Sequence, residues 1–184
     1  MITVEGGEGA GKSTQTALLV AALQRAGIAA ERTREPGGSP GAEDIRRLLL
    51  EGDAGRWDAQ CEALLLNAAR RDHVERMIRP ALAAGTWVVA DRFSDSTIAY
   101  QGHGRGLPLP ELNALQRFTI GDFKPDLTLI LDLPVAEGLA RAGRRSTIAD
   151  RFEQLARDFH QRLRDGFLEI ARSDPGRCVV IDAA

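Results

Sequence analysis

The chain has 184 residues, 43% apolar and 27% charged, which suits one domain with a substantial buried core. A net charge of −2 gives no basic excess of the kind that drives non-specific nucleic-acid binding, and no apolar stretch approaches the ~20 residues needed to cross a bilayer. Cys61 and Cys178 lack metal-like spacing and read as reduced thiols of a cytoplasmic protein, and the short apolar start does not read as a secretory signal.

The first predicted strand, Ile2–Glu5, runs into Gly6-Gly7-Glu8-Gly9-Ala10-Gly11-Lys12-Ser13, and helix-forming residues follow over about 12–26. This stretch satisfies G-x-x-x-x-G-K-[ST] at each fixed position, in the strand–loop–helix context the motif requires. Its glycines allow backbone N–H groups to turn inward as an anion nest at a helix N-terminus. Gly7 to Thr14 are therefore assigned to a nucleoside triphosphate, with Lys12 on the β- and γ-phosphates and the Ser13 hydroxyl on Mg²⁺. Only Lys12 and Lys124 are lysines among 24 basic residues, which suggests that position 12 needs a compact ammonium rather than a planar fork.

A second strand, Ala29–Thr33, leads into the stiff turn Thr33-Arg34-Glu35-Pro36-Gly37-Gly38, and helices are predicted at about 42–51 and 57–84. The third strand, Trp87–Asp91, ends in Asp91-Arg92, a carboxylate for Mg²⁺ beside a guanidinium for phosphate. A helix at about 109–121 precedes the fourth strand, Leu127–Leu133, whose Asp132 is by pattern an equal metal candidate. After a helix at about 135–142, four arginines (141, 144, 145 and 151) surround Gly143, Ser146 and Thr147 as a basic lid over about 141–151. The last helix, about 150–172, sets Phe152, Leu155, Ala156, Phe159, Leu163, Phe167 and Ile170 on one face, and a fifth strand follows at Cys178–Asp182. This alternation predicts one α/β domain over 1–184, a five-stranded parallel sheet flanked by helices, with ligands beyond the carboxyl ends of the strands.

A phosphate loop alone admits kinases, GTPase switches and motors. The guanine-reading N-K-x-D element has no match, since Lys124 sits in Phe123-Lys124-Pro125-Asp126, and motors need a larger chain. What remains is a small enzyme moving a phosphoryl group to a second small molecule, which needs cations, a metal-holding carboxylate and a mobile cover. His73, His103 and His160 show neither metal spacing nor a Ser/His/Asp pattern and read as surface or supporting residues. Trp57 and Trp87 read as core or interface.

The elements E-G-x-E-G-A-G-K-S (5–13), T-R-E-P-G-G (33–38), A-A-R (68–70), D-R-F-S-D-S (91–96), A-Y-Q-G (99–102), G-D-F-K-P-D (121–126) and D-R-F-E (150–153) resemble the bacterial thymidylate kinase family along essentially the whole chain. The resemblance implies a P-loop kinase fold that uses ATP and Mg²⁺ to convert dTMP to dTDP, in a homodimer; the apolar stripe of the long helix over 58–84 fits a partner subunit and fits the core equally. It also implies residue roles. Glu8 reaches the acceptor sugar and the metal region, Arg92 and Arg46 bind the acceptor phosphate with Arg34 nearby, and Arg70 reads the base. Ser96, Thr97 and Gln101 contact the base edge, Pro36 lines its pocket, and Tyr100 crowds the ribose 2′ position. Asp150 and Glu153 are lid-end carboxylates.

Gly9 stands where some members carry a catalytic arginine, so that charge is expected from the lid, first from Arg144 or Arg145 and then from Arg141 or Arg151. Leu66 replaces the family's usual stacking phenylalanine. The family continues past the position of Ala184 with an adenine-touching loop and a terminal helix, so the expectation is either that this segment is missing from the sequence or that adenine is held more loosely. The alternative readings are another monophosphate kinase, for UMP, dUMP or AMP, and a nucleotide-dependent switch.

Overall fold

Five parallel strands form one sheet in the order β2-β3-β1-β4-β5: β1 (Ile2–Gly6), β2 (Ala30–Arg34), β3 (Trp87–Asp91), β4 (Leu127–Asp132) and β5 (Cys178–Asp182). The computed structural model of the chain describes residues 1–53, 55–145, 152 and 155–184, and of residue 145 only the backbone. The expected lid beyond Arg144, including the Arg145 side chain, Asp150, Arg151 and Glu153, lies outside the described residues.

Near-continuous apolar strands follow from burial on both faces. Along β3, Val88 and Ala90 pack with Val74, Ile78 and Phe93 on one side, while Val89 packs with Val4, Val20 and Leu131 on the other. Along β4, Ile130 joins the cluster of Phe159, Leu163 and Phe167, whereas Leu131 faces the opposite layer. β5 is less buried than its apolar run 178–181 would be at the centre of a parallel sheet. Cys178 is buried, but Val179, Val180 and Ile181 are exposed because β5 is the sheet edge.

The helices are α1 (Lys12–Arg25), α2 (Pro40–Leu50), α3 (Ala59–His73), α4 (Arg79–Ala83), α5 (Ser94–Thr97), α6 (Leu109–Ile120), α7 (Val135–Arg145) and α8 (Arg157–Ser173). The single helix expected over 57–84 is interrupted by a π-helical turn, Val74–Ile78. Pro80 has no N–H for the Arg76 carbonyl and its ring crowds that carbonyl, so the wider turn lies where the clash falls. A second π-helical stretch, Ile98–Gly104, continues α5, where no element was expected. Trp87, expected in a core or interface, stands half-exposed at the start of β3.

Strand β1 has β3 on one side and β4 on the other. The chain fills the sheet to one side of β1 before crossing to the other, so the carboxyl end of β1 is the topological switch point where such sheets bind ligands.

Candidate active site

Beyond the carboxyl ends of β1, β2 and β3 lies a cavity of about 340 Å³. It gathers Glu8, Gly9, Gly11, Lys12 and Ser13 from the loop after β1, and Arg34, Glu35 and Pro36 from the turn after β2. It also gathers Arg46 and Leu50 from α2, Leu66 and Arg70 from α3, Asp91, Arg92 and Phe93 from the end of β3, and Ser96, Thr97, Tyr100 and Gln101 beyond it, with Phe152 closing one side. Most of the expected site residues thus meet in one place. Gly7, Ala10 and Thr14 do not line it: Gly7 offers its carbonyl to Lys12, Ala10 is core, and the exposed Thr14 closes the first turn of α1 through its N–H. Arg144 does not line it either and is exposed on the last turn of α7, while Arg141 bonds Glu137 and the Ala183 carbonyl.

Gly9 (φ 69°) packs against α7, where a Cβ on Gly9 would lie 2.0 Å from the Gly138 carbonyl oxygen. A Cβ on Gly138 would in turn lie 2.5 Å from the Glu8 carbonyl oxygen. The paired glycines let helix and loop touch backbone to backbone, and an arginine at position 9 would require α7 to move. Lys12 opens α1, is buried, and donates from Nζ to the Gly7 carbonyl at 2.7 Å, so the ammonium curls over its own loop.

Ser13 Oγ donates to Asp91 Oδ2 at 2.5 Å, bringing the two expected metal ligands together. Asp132, the rival candidate, is taken by Arg164 of α8 at 2.6 and 2.9 Å and does not line the cavity. Among the described residues no cluster of three or more His, Cys, Asp or Glu could hold a metal. A nucleotide-bound Mg²⁺ needs no such cluster, because phosphates and water fill most of its octahedron, and one hydroxyl plus one carboxylate fit it.

The strongest charge coupling centres on Arg92. Its Nη2 donates to Glu8 Oε1 at 2.9 Å and its Nη1 to the Gly6 carbonyl at 3.1 Å and Ser96 Oγ at 3.3 Å, with the guanidinium 4.8 Å from the Tyr100 ring centre. The Tyr100 hydroxyl donates to the same Glu8 oxygen. Burial acts to raise the Glu8 carboxyl, but Arg92, Lys12 and the Tyr100 hydroxyl outweigh it and hold it at about 2. Burial works against the Arg92 charge too, yet Tyr100, Glu8, Asp91 and Glu5 raise its pKa further. Lys12 is lowered to about 8, by burial first and by the Arg92 charge second.

Glu5, on β1 beneath this centre, accepts from the Phe93 N–H at 2.7 Å and Ser96 Oγ at 2.6 Å. Burial, and after it the Asp95 charge, raise its carboxyl from 4.5 to about 8 against the pull of Ser96, Arg92 and Phe93. The fold therefore favours the neutral acid. That contribution to stability is whole below about pH 4.5 and is lost as the pH climbs through about 8. Glu5→Gln keeps an acceptor for Phe93 and a donor for Ser96. It is expected to lie close to the parent at pH 5 and to melt on the order of 10 °C higher than the parent at pH 8.5. Thermal unfolding across pH 5–9 checks this, and a constant difference in Tm would contradict it.

At the other end of the cavity Arg70 is almost fully buried. Its Nε donates to Glu35 Oε2 at 2.8 Å, and its Nη2 to Thr97 Oγ1 at 2.9 Å and the Phe93 carbonyl at 3.2 Å. Thr97 and Ser96, expected as contacts to a base edge, thus hold Arg70 and Arg92 in place. Glu35 Oε1 also meets Nδ1 of the fully buried His73 at 3.1 Å, and His73 Nε2 meets Thr33 Oγ1 at 2.7 Å, so His73 supports the Arg70 partner from behind. Arg46 donates to the Pro36 carbonyl at 2.6 Å, and Arg34 pairs with Glu43 at the rim. Leu66 has Leu50, Phe93 and Phe152 as apolar company, so aromatic rings line the cavity although position 66 has none. Glu5, Glu35, His73, Leu50 and Phe93 were not singled out from the sequence. Glu5, Glu35 and Phe93 do lie inside the motifs 5–13, 33–38 and 91–96, and that membership was the signal available for them.

The sequence model of the family described as thymidylate kinase matches residues 4–184. A thymidylate kinase of Caulobacter vibrioides is 58% identical over 99% of this chain and 87% of its own length, and one of Rhodopseudomonas palustris is 59% identical over 99% and 80%. The crystal structure of a thymidylate kinase from Ehrlichia chaffeensis superimposes with a TM-score of 0.80 at 37% identity, covering 98% of this chain and 90% of that one. With a P-loop, a paired Ser13–Asp91 and a carboxylate-paired arginine at each end of one cavity, on a sheet shared with that structure, the chain belongs to the thymidylate kinase family.

Proposed function

We propose that the chain transfers the γ-phosphoryl group of ATP to dTMP, giving dTDP and ADP. The observation that carries this reading is one cavity with a phosphate loop and Arg92 at one end and a buried Arg70–Gln101 pair at the other. An acceptor-phosphate oxygen attacks Pγ in line while the bond from Pγ to the β–γ bridging oxygen breaks. The acceptor is already an anion, so no strong general base is required. Lys12 and the loop N–H groups hold the donor phosphates, and Arg92, with Arg46 and Arg34, meets the acceptor phosphate. Glu8 aligns Arg92 and Tyr100 through one oxygen and is within the same cavity as the acceptor sugar, whose 2′ position Tyr100 would crowd. Ser13 and Asp91 would hold Mg²⁺, which when bound neutralises charge on the β- and γ-phosphates.

Since Gly9 leaves no room for a loop cation, the remaining transition-state charge is assigned to the segment 141–151, with Arg144 or Arg145 first, and Asp150 and Glu153 to the same closing lid. The proposed active form is a cytoplasmic homodimer running at twice the chain mass. Leu64 on α3 and Phe118 on the adjoining α6 are 58% and 90% exposed, which supports a partner, and both cysteines are free thiols.

A coupled assay with a panel of monophosphates tests the reading. Turnover with dTMP is expected to exceed that with dUMP by roughly 10- to 100-fold, the discrimination a methyl group earns in an apolar pocket, and UMP and AMP should fall lower still. A rate independent of acceptor would point to a nucleotide switch, and preference for AMP or UMP to a different kinase.

A further inference from the structure

The side chain of Glu62 is wholly buried on the first turn of α3. Arg105 grips it with Nη2 on Oε1 at 2.7 Å and Nε on Oε2 at 3.3 Å. The same Oε2 accepts from the amide nitrogen of Gln101 at 3.1 Å. Gln101 is fully buried and lines the cavity, and its carbonyl oxygen Oε1 has no hydrogen-bond partner among the described residues. Arg70 Nη1, on the same cavity, is in the same condition. Buried polar atoms are nearly always satisfied, so an orphaned acceptor and an orphaned donor on one cavity mark where a ligand's polar edge goes.

The direction of the Gln101 amide decides what that edge can be. An amide has nearly the same shape when turned over, but donor and acceptor change places. A carboxylate held by a guanidinium fork only accepts, so it takes the NH₂ group and leaves the carbonyl without a partner on a residue that lines the cavity. Donor Arg70 and acceptor Gln101 then match a pyrimidine edge with a carbonyl at C4 and an N–H at N3. Cytosine presents the reverse, an amine at C4 and a bare nitrogen at N3.

We propose that Glu62 is a specificity-determining positioning residue, which fixes the Gln101 amide so that the cavity takes a keto pyrimidine monophosphate and rejects an amino one. This rests on the reading of the cavity as the dTMP site. Arg105 serves it indirectly, by holding both carboxylate oxygens in place.

The test measures kcat and KM for dTMP and dCMP, with ATP as donor, in the parent and in Glu62→Gln. A glutamine at 62 presents either a carbonyl or an amide, so Gln101 is released to turn over. The ratio of kcat/KM for dTMP to that for dCMP is expected to fall about tenfold, mostly through KM for dTMP, with KM for ATP unchanged. Arg105→Met, at a partly exposed position, is expected to move the ratio the same way and serves if Glu62→Gln fails to fold. In a Gln101→Leu background Glu62→Gln should leave the ratio alone, because the glutamate acts only through that amide. Equal losses for both acceptors, or a ratio that Glu62→Gln shifts equally without Gln101, would assign Glu62 a purely structural role and overturn the proposal. A parent enzyme that ignores dTMP removes the reading beneath it, and that result is seen before any variant is made.

Discussion

Arg92→Ala is expected to lower kcat/KM for dTMP by roughly 10³-fold, the scale on which an arginine facing a transferring phosphoryl group contributes. The guanidinium spans three acceptors, on Gly6, Ser96 and Glu8, and lies over the Tyr100 ring. Lysine at this position would meet one of these acceptors at a time, so Arg92→Lys should recover little of the loss. The alanine variant also takes from Glu8 the charge that does most to offset its burial, leaving Lys12, the Tyr100 hydroxyl and His160, which should cost about 2–4 kcal/mol of stability. Arg92 adopts φ 72°, a left-handed conformation disfavoured by any side chain. Arg92→Gly should therefore be about 1 kcal/mol more stable than Arg92→Ala in denaturant unfolding while remaining equally inactive. Such strain at the residue following β3 is tolerated because it aims the guanidinium back across the sheet toward the phosphate loop. Activity of Arg92→Ala within tenfold of the parent would contradict this account.

Residues that follow a strand were the legible ones. A parallel strand fixes where its carboxyl end points, so Asp91-Arg92 and the loop after β1 could be placed from sequence order alone. Burial on both faces likewise made β1, β3 and β4 readable as apolar runs. The same rule misjudged β5, because an apolar run reads alike at the centre and at the edge of a sheet, and only strand order separates them.

The supporting layer of the site was not legible, since it is made of pairs distant in sequence. Glu35 joins Arg70 and His73, Glu62 joins Arg105, and Asp95 joins Arg177 at 2.6 Å. No local pattern announces such pairs. Asp91 and Asp132 looked equivalent until Arg164, on a helix far along the chain, neutralised one of them. Gly38 reads in sequence as a turn residue. In the fold, a Cβ there would lie 2.3 Å from His73 Nε2 and 2.4 Å from Thr33 Oγ1, so that glycine makes room for the pair behind Glu35.

Lys12→Ala is expected to reduce kcat by about 10²–10³-fold, with a smaller effect on KM for dTMP, because the ammonium meets charge that builds on the donor phosphates during transfer. Its pH behaviour distinguishes this role from a structural one. Burial and the Arg92 charge hold Lys12 at about 8, against the opposing pull of Glu8, Asp91 and Glu5. The ammonium is thus charged below that pH and neutral above it until phosphate arrives. In the parent, kcat/KM for ATP should fall as the pH rises through about 8, since binding must then take up a proton. Glu5 titrates in the same range, so Glu5→Gln is the control: the limb persists there if Lys12 causes it and vanishes if Glu5 does. Lys12→Arg stays charged throughout and should show no limb, yet remain slow, because a planar fork does not fit where a point charge reaches the Gly7 carbonyl at 2.7 Å. A parent profile flat to pH 9, or a limb of the same height in Lys12→Ala, would move the donor-phosphate role away from this lysine.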